Sequence, residues 1–281
     1  MFLNKEVVEQ QSVAAWSTWK TKWMGNCRKT RQIPKSSMSS LLNKCKDKIL
    51  IQAAFGASLA KQIPFLKENR HKFQLMCCDK AFGFLMENGI VPDYCIIADA
   101  SVSSEWIKGH DTSNTILIAN IAANPEWTVR WKGEVVFYAN WDNIGSAKTL
   151  SPLAEVFEVI PASSNVSNAQ VVFASQVLNP SVQLLVGYDY SWRADGNYYA
   201  SGDHQKRHLM HHMDVISPWG YLAQTSSNLS FSCLWLQQYL MKFPKVKIFN
   251  CSGEGILASV PTGDLEVMLK RYEKERHLKA V

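Results

Sequence analysis

Most residues whose types and spacing could do chemistry sit in short polar turns that follow apolar, β-type runs. Five such turns occur: Ala54-Phe55-Gly56-Ala57-Ser58-Leu59, Cys78-Asp79-Lys80, Ala98-Asp99-Ala100-Ser101, Gly187-Tyr188-Asp189-Tyr190 and Asn250-Cys251-Ser252-Gly253-Glu254-Gly255. Carboxylates can move protons or hold magnesium, and a small-residue turn opening a helix lets backbone amides approach a phosphate. Gly56, Ser58, Asp79, Gly187, Asn250 and Ser252 are therefore candidate nucleotide-binding residues, and Asp99 and Asp189 candidate catalytic ones. Asp and Gly at a strand end are also ordinary turn chemistry, so it is the recurrence on one expected face that raises a site above that background.

Two further segments carry functional side chains. In Ser163-Ser164-Asn165-Val166-Ser167-Asn168-Ala169-Gln170, the residues Asn165, Ser167 and Asn168 either cap the helix expected over Val171–Val177 or offer amides and hydroxyls to a phosphate or ribose. Downstream, His204, His208, His211 and His212 fall beside Lys206, Arg207 and Asp214. Imidazoles titrate near neutrality, so this loop suits a general base, a phosphate clamp or a metal site, with His204, His208 and His211 the catalytic candidates. A solvated loop would have the same composition.

The elements that must position these groups follow from hydrophobic patterning. Runs at Ile49–Ala53, Phe73–Cys78, Tyr94–Ala98, Thr115–Ala119, Val135–Tyr138, Val182–Val186 and Val246–Phe249 read as strands. Helices are expected from Ser58 and over Ala81–Asn88 and Val171–Val177. Strands alternating with helices predict an α/β fold with a mostly parallel, helix-covered sheet, in which ligands bind beyond the carboxyl ends of the strands.

Length and composition, 281 residues with 47% apolar and 19% charged, describe a globular chain of one large domain or one domain with a small appendage. No uninterrupted apolar run reaches the length of a transmembrane segment, and Met1 to Glu6 lack the apolar core of a signal peptide, so a cytoplasmic location is expected. Seven cysteines without Cys-x-x-Cys spacing read as buried reduced thiols. The charge is uneven. Residues 1–48 hold ten Lys/Arg against Glu6, Glu9 and Asp47, a balance of +7 that leaves −1 for the rest of a +6 chain.

Residues 1–47 thus form a basic segment ahead of a body at 48–281. It reads as a helix over Val7–Trp23, a polar connection from Gly25 to Ser40 and a short helical stretch to Asp47. Trp16, Trp19 and Trp23 lie among Lys20, Lys22, Arg28, Lys29, Arg31 and Lys35. Such a mixture suits nucleic acid or an anionic membrane surface; equally, the tryptophans pack on the body while the lysines are solvated.

Taken in order, Phe55-Gly56-Ala57-Ser58-Leu59, Asn88-Gly89-Ile90-Val91-Pro92-Asp93 with Ala98-Asp99, Gly187-Tyr188-Asp189, and Asn250 to Ile256 resemble the 6-hydroxymethylpterin diphosphokinase MptE-like family. That family includes the core of the motility-associated flagellin glycosyltransferases, and the resemblance spans about residues 48–268. The Ser/Asn-rich turn, Val186-Gly187-Tyr188-Asp189-Tyr190, Asn197-Tyr198-Tyr199 and the later histidine loop are more distantly similar to bacterial sialyltransferases. The family's first motif usually reads Gly-x-Gly-Pro-Ser-Leu; here Ala54 replaces its first glycine and Ala57 its proline. The glycine-rich lead into the late helix is replaced by Ser164-Asn165-Val166-Ser167-Asn168.

The resemblance implies a Rossmann-like transferase that joins a nucleotide-activated donor to a hydroxyl acceptor. In a diphosphokinase, Asp79, Asp99 and Asp189 would hold magnesium on ATP while a hydroxymethyl oxygen attacks phosphorus. In a glycosyltransferase, Ser58, Asn165, Asn168 and Asp189 would hold a nucleotide sugar, and a histidine of the 204–212 loop would serve as acid or base. The basic segment, the histidine loop and the aromatic supply at Trp192, Tyr198, Tyr199, Trp219 and Tyr221 favour transfer of a sugar to a larger acceptor. That acceptor would be a hydroxymethylated base in DNA if the segment binds nucleic acid, or a surface glycan precursor if it binds lipid. A non-catalytic nucleotide-binding scaffold is a third reading, favoured by the altered first turn and opposed by the retained Asp99, Asp189 and Asn250.

Overall fold

The near-continuous apolar runs become strands buried on both faces, the condition under which parallel sheets are stable. In the computed structural model, which describes residues 20–34, 36–141, 159–161, 165–193, 195–202, 212–243 and 246–279, strands β1 (Ile49–Ala53) and β7 (Val182–Val186) are buried at every position. They share one sheet with β2 (Gln74–Cys78), β3 (Tyr94–Ile97), β4 (Ile116–Asn120), β5 (Val135–Trp141), β6 (Val159–Pro161) and β10 (Ile248–Asn250). The order across the sheet is β10-β7-β1-β2-β3-β4-β5-β6. All seven pairings are parallel. Every carboxyl end therefore lies along one edge, and the five turns singled out above follow β10, β7, β1, β2 and β3, five neighbours.

Helices cover both faces. One core cluster joins the inward residues of α2 (Leu59–Glu68), α3 (Asp79–Glu87), α4 (Pro125–Arg130) and α7 (Leu265–Lys279) to Ile49, Ile51, Leu75, Cys77, Cys95, Leu117 and Leu184. The other joins α5 (Val166–Phe173) and α6 (Ser227–Lys242) to the alternate positions Leu50, Met76, Ile96, Ile118, Val136 and Leu185. The two faces follow from the period of two along each strand. All seven cysteines are buried free thiols.

Several boundaries differ from the sequence reading. The first described helix, α1, covers residues 20–30, so helix continues through the stretch expected to be a polar connection. Packing decides this: Cys27 and Thr30 are buried, and the Asn26 amide donates to Ala100 O (3.3 Å) and Ala122 O (3.0 Å), pinning α1 over the turns after β3 and β4. Val7–Trp19, including Trp16, lies outside the described residues. The helical stretch before Asp47 is a single 3-10 turn, Met38–Leu41.

The late helix begins at Val166, where Asn165 caps it, rather than at Val171, and ends in a π-turn over Ala174–Leu178. Strand β6 and the antiparallel hairpin of β8 (His212–Ile216) with β9 (Leu222–Ser226) carry too little apolar alternation to be read from sequence. Among the described residues no helix is long and apolar enough to cross a membrane.

Candidate active site at the point where the chain reverses

The chain builds β1 through β6 outward in one direction, then returns past β1 to lay down β7 and β10. The crevice between the carboxyl ends of β1 and β7 is thus the topological switch point, where α/β sheets place their ligands. Gly56 and Gly187 face each other there. The Gly56 amide donates to Gly187 O (3.0 Å), and a Cβ on Gly56 would fall 2.5 Å from that oxygen and 2.7 Å from the Asp189 carboxyl carbon. Gly187 has φ +72°, and its Cβ would fall 2.3 Å from Ala54 O. Both glycines exist because backbone crosses backbone at contact distance.

That approach delivers Asp189 to the start of α2. Its carboxylate accepts from the Ser58 amide (2.8 Å) and from the Ser58 hydroxyl. Asp189 is 3% exposed, and burial pushes its carboxyl up to about 6 against the lowering pull of the two Ser58 bonds; Glu254 raises it further. The chain's own carboxylate therefore occupies the helix start where a phosphate was expected. Around it, Gly255 packs on the Asp189 backbone, Ile256 N donates to Asp189 O (2.9 Å), and Glu254 accepts from Lys61 and from Arg193 Nε (3.2 Å). An open cleft of about 300 Å³ lies next to this turn, lined by Gln62, Trp219, Cys251, Gly253, Thr262 and Asp264.

One strand over, Asp79 opens α3. It is 4% exposed, and burial again raises its carboxyl to about 6, opposed by its bond from Lys80 N and by the Lys80 charge and assisted by Asp99. Lys80 Nζ donates to the Tyr199 hydroxyl (2.8 Å) and lies 4.6 Å from the centre of that ring, which stacks on Phe55. Burial works against the Lys80 charge, but Tyr199 and Asp79 outweigh it and raise its pKa. The Lys80–Tyr199 pair spans 119 residues of sequence, so no spacing announces it. Asp99 is exposed on its turn, accepting from Ser101 N (2.7 Å), and Ser101 also accepts from Lys22 Nζ of α1 (2.7 Å).

The remaining candidates divide. Asn165 accepts from Asn168 N (2.8 Å) and the Ser167 hydroxyl (2.9 Å), and both Asn165 and Ser167 remain at the carboxyl edge. Asn168 is fully buried, its amide donating to Ser232 O (2.8 Å) and its carbonyl accepting from the Tyr190 hydroxyl (2.6 Å). Asn250 and Ser252 are likewise buried. Asn250 donates to Leu257 O and accepts from Ser252 N, and Ser252 Oγ accepts from Tyr188 N (2.9 Å). These three tie turns together rather than face the crevice. His204, His208 and His211 lie outside the described residues. Among the described residues no group of three His, Cys, Asp or Glu side chains is placed to hold a metal ion, so Asp79, Asp99 and Asp189 do not converge as one trio.

Of the aromatic residues, Trp192 is buried against Tyr198 (5.2 Å), and the Tyr221 hydroxyl accepts from Gly255 N (2.6 Å). Tyr199 and Trp219 are the two that border the crevice and cleft.

Eight parallel strands, helices on both faces and polar turns converging on a switch point define a Rossmann-like α/β protein. A family model described as "6-hydroxymethylpterin diphosphokinase MptE-like" matches residues 23–195, and the chain belongs to that family. The match starts inside α1, ahead of the motifs that carry the resemblance. Among solved structures, the fold is similar to that of MAf glycosyltransferase from Magnetospirillum magneticum AMB-1, with a TM-score of 0.64 and 17% identity over 91% of this chain. This chain spans 41% of that protein. No curated protein matches the sequence.

Proposed function

We propose that the protein transfers a sugar from a nucleotide-activated donor to a hydroxyl acceptor, with the reaction centred between Asp79 and the β1/β7 crevice. The observation that carries this reading is Asp79, a buried carboxyl raised to about 6 beside the Lys80–Tyr199 pair. Such a group is poised to take a proton from an acceptor hydroxyl near neutral pH, while Lys80 offers charge to a departing phosphate. A histidine of the 204–211 loop is a second candidate for the proton step. The resemblance to flagellin glycosyltransferase cores noted from the motifs, and the similarity of the fold to a solved MAf glycosyltransferase, support the reaction class. The basic end of α1 and the turn after it suit an anionic acceptor, nucleic acid or a lipid-linked glycan precursor, because Arg28, Lys29 and Arg31 are exposed.

A second reading, the magnesium-dependent pterin diphosphokinase, is favoured by the family description and by the neighbouring carboxylates Asp79 and Asp99. Two carboxylates fit magnesium, which takes one or two from protein and the rest from phosphates and water. Asp79 and Asp99 would hold it, Asp189 being engaged by Ser58, and the ion would neutralise developing phosphate charge.

A thermal-shift series against ATP, CMP, UMP, UDP and nucleotide sugars, with and without magnesium, separates the readings, since a ligand of the native state raises apparent stability. Stabilisation by a pyrimidine nucleotide or its sugar is the expected result. Stabilisation by ATP alone, and only with magnesium, overturns sugar transfer in favour of the diphosphokinase.

A further inference from the structure

At the far side of the same edge, three neutral polar side chains end in one place. Asn120 is the last residue of β4 and pairs in register with Tyr138 of β5; Asn140 follows two residues on and pairs with Ile160 of β6. By strand alternation all three point to the sheet face covered by α5, where Tyr138 meets Phe173 edge-on at 5.9 Å. The helix α5 runs back from the carboxyl edge to feed β7, so its start, at Asn165 and Ser167, shares that face with them.

Asn120 is 5% exposed and Tyr138 fully buried. Asn120 Oδ1 accepts from Ala122 N (2.9 Å), but Asn120 Nδ2, the Tyr138 hydroxyl and Asn140 Oδ1 are all shielded from solvent without a hydrogen bond of good geometry among the described residues. The Asn120 side chain acts on the Tyr138 hydroxyl against the upward push of burial, but at a separation or angle short of a full hydrogen bond.

Groups of this kind are costly to bury unless something completes them. Three at one strand end, on the edge where the fold binds ligands, point to a polar group supplied from outside. Its chemistry can be read from the atoms: an amide N–H that donates, a hydroxyl that donates or accepts, and a carbonyl that accepts, with no charge among them. A phosphate offers only acceptors and would leave Asn140 unanswered. Adjacent hydroxyls of a sugar ring both donate and accept, and replace water one for one.

We propose that Asn120, Tyr138 and Asn140 form a subsite for the hydroxyls of the transferred sugar. The identity of that sugar as part of the donor rests on the transfer reading above, with the nucleotide held nearer the β1/β7 crevice. The subsite itself rests on the unpaired atoms.

The test uses Tyr138→Phe and Asn120→Ala in the full chain, with calorimetric affinities for UMP, UDP, CMP, UDP-N-acetylglucosamine and CMP-N-acetylneuraminate. The expected result is that the advantage of the preferred nucleotide sugar over its bare nucleotide shrinks at least tenfold while the bare nucleotide binds as before. The melting temperature of Tyr138→Phe is expected to hold or rise by about 2 °C, because an unpaired buried hydroxyl has been removed. A fall of several degrees shows the hydroxyl to be paired inside the fold and overturns the subsite, as does an unchanged sugar advantage or an equal loss for the bare nucleotide. Should the wild type bind none of the nucleotides, the transfer reading fails on its own. Saturation-transfer NMR with free N-acetylglucosamine and N-acetylneuraminate then decides: a wild-type signal lost in both variants supports the subsite, and no wild-type signal overturns it.

Discussion

Asp79→Asn should make the protein more stable at neutral pH while destroying its proposed activity. The Asp79 carboxyl titrates near 3.8 when unconstrained and at about 6 in the fold, chiefly through burial. The native state therefore holds its proton to higher pH than the unfolded chain, so stability rises as pH falls through this window and is penalised above it. At 1.36 kcal/mol per pKa unit the penalty at pH 7.5 is roughly 3 kcal/mol. Asparagine keeps an oxygen to accept from Lys80 N but gives up a carboxylate at the start of α3, a loss of about 0.5 kcal/mol. The net gain is about 2 kcal/mol, or a melting temperature higher by about 4–8 °C. Urea unfolding of wild type and variant at pH 7.5 and pH 4 checks this; Asp189 titrates in both proteins and cancels in the difference. The gap should be near 2 kcal/mol at pH 7.5 and close to zero at pH 4, where the folded carboxyl is protonated and the unfolded one only about half charged. A variant less stable than wild type at pH 7.5, or a gap that ignores pH, would refute the reasoning. Turnover should fall by about 100-fold or more, and wild-type kcat/KM should rise with pH through about 6.

Asp189→Asn removes a carboxyl that burial raises to about 6 as it does Asp79, but it also disrupts one of the two Ser58 bonds at a cost of about 1–3 kcal/mol, so chemical denaturation at pH 7.5 should show a gain smaller by that amount than for Asp79→Asn. Retention of full turnover in that folded variant would place the reaction away from Asp189. Gly56→Ala forces a methyl into Gly187 O and the Asp189 carboxyl, so loss of about 3 kcal/mol or failure to fold is expected, read from the melting temperature of the expressed protein. Tyr199→Phe removes the 2.8 Å bond from Lys80 but leaves the ring beneath its charge; isothermal titration should show nucleotide affinity weakened by about tenfold or less, with stability little changed. Asn168→Ala breaks bonds to Ser232 and Tyr190, so denaturation should show a loss of about 1–3 kcal/mol with ligand affinity unchanged.

The elements and the edge that matters were legible in the sequence wherever the signal was local. Ile49–Ala53 and Val182–Val186 are apolar at nearly every position, which announces strands buried on both faces, and the polar turn after each announces the carboxyl end. The two alanines that replace family residues at the first turn are tolerated: Ala54 and Ala57 are buried beside a glycine whose missing side chain is what the crossing requires. Hidden from that reading was anything set by partners far along the chain. Residues 25–30 look like a polar connection, yet they are helical because Asn26 bonds the turns after β3 and β4 and Cys27 is buried in the core. Asn168, Asn250 and Ser252 look like ligand-binding groups, yet their hydrogen bonds close the fold's own turns.

What the sequence determined alone was a parallel, helix-covered sheet and the edge on which its polar turns gather, because apolar period and turn chemistry are written within a few residues. Which carboxylate caps α2, which lysine meets Tyr199 and which amides are left unpaired were decided only by tertiary structure. Ser58 and Asp189 lie 131 residues apart, Lys80 and Tyr199 119. Contacts at that separation depend on strand order and register, which no local pattern encodes, and the burial that lifts Asp79 and Asp189 to about 6 exists only once the layers have closed over them.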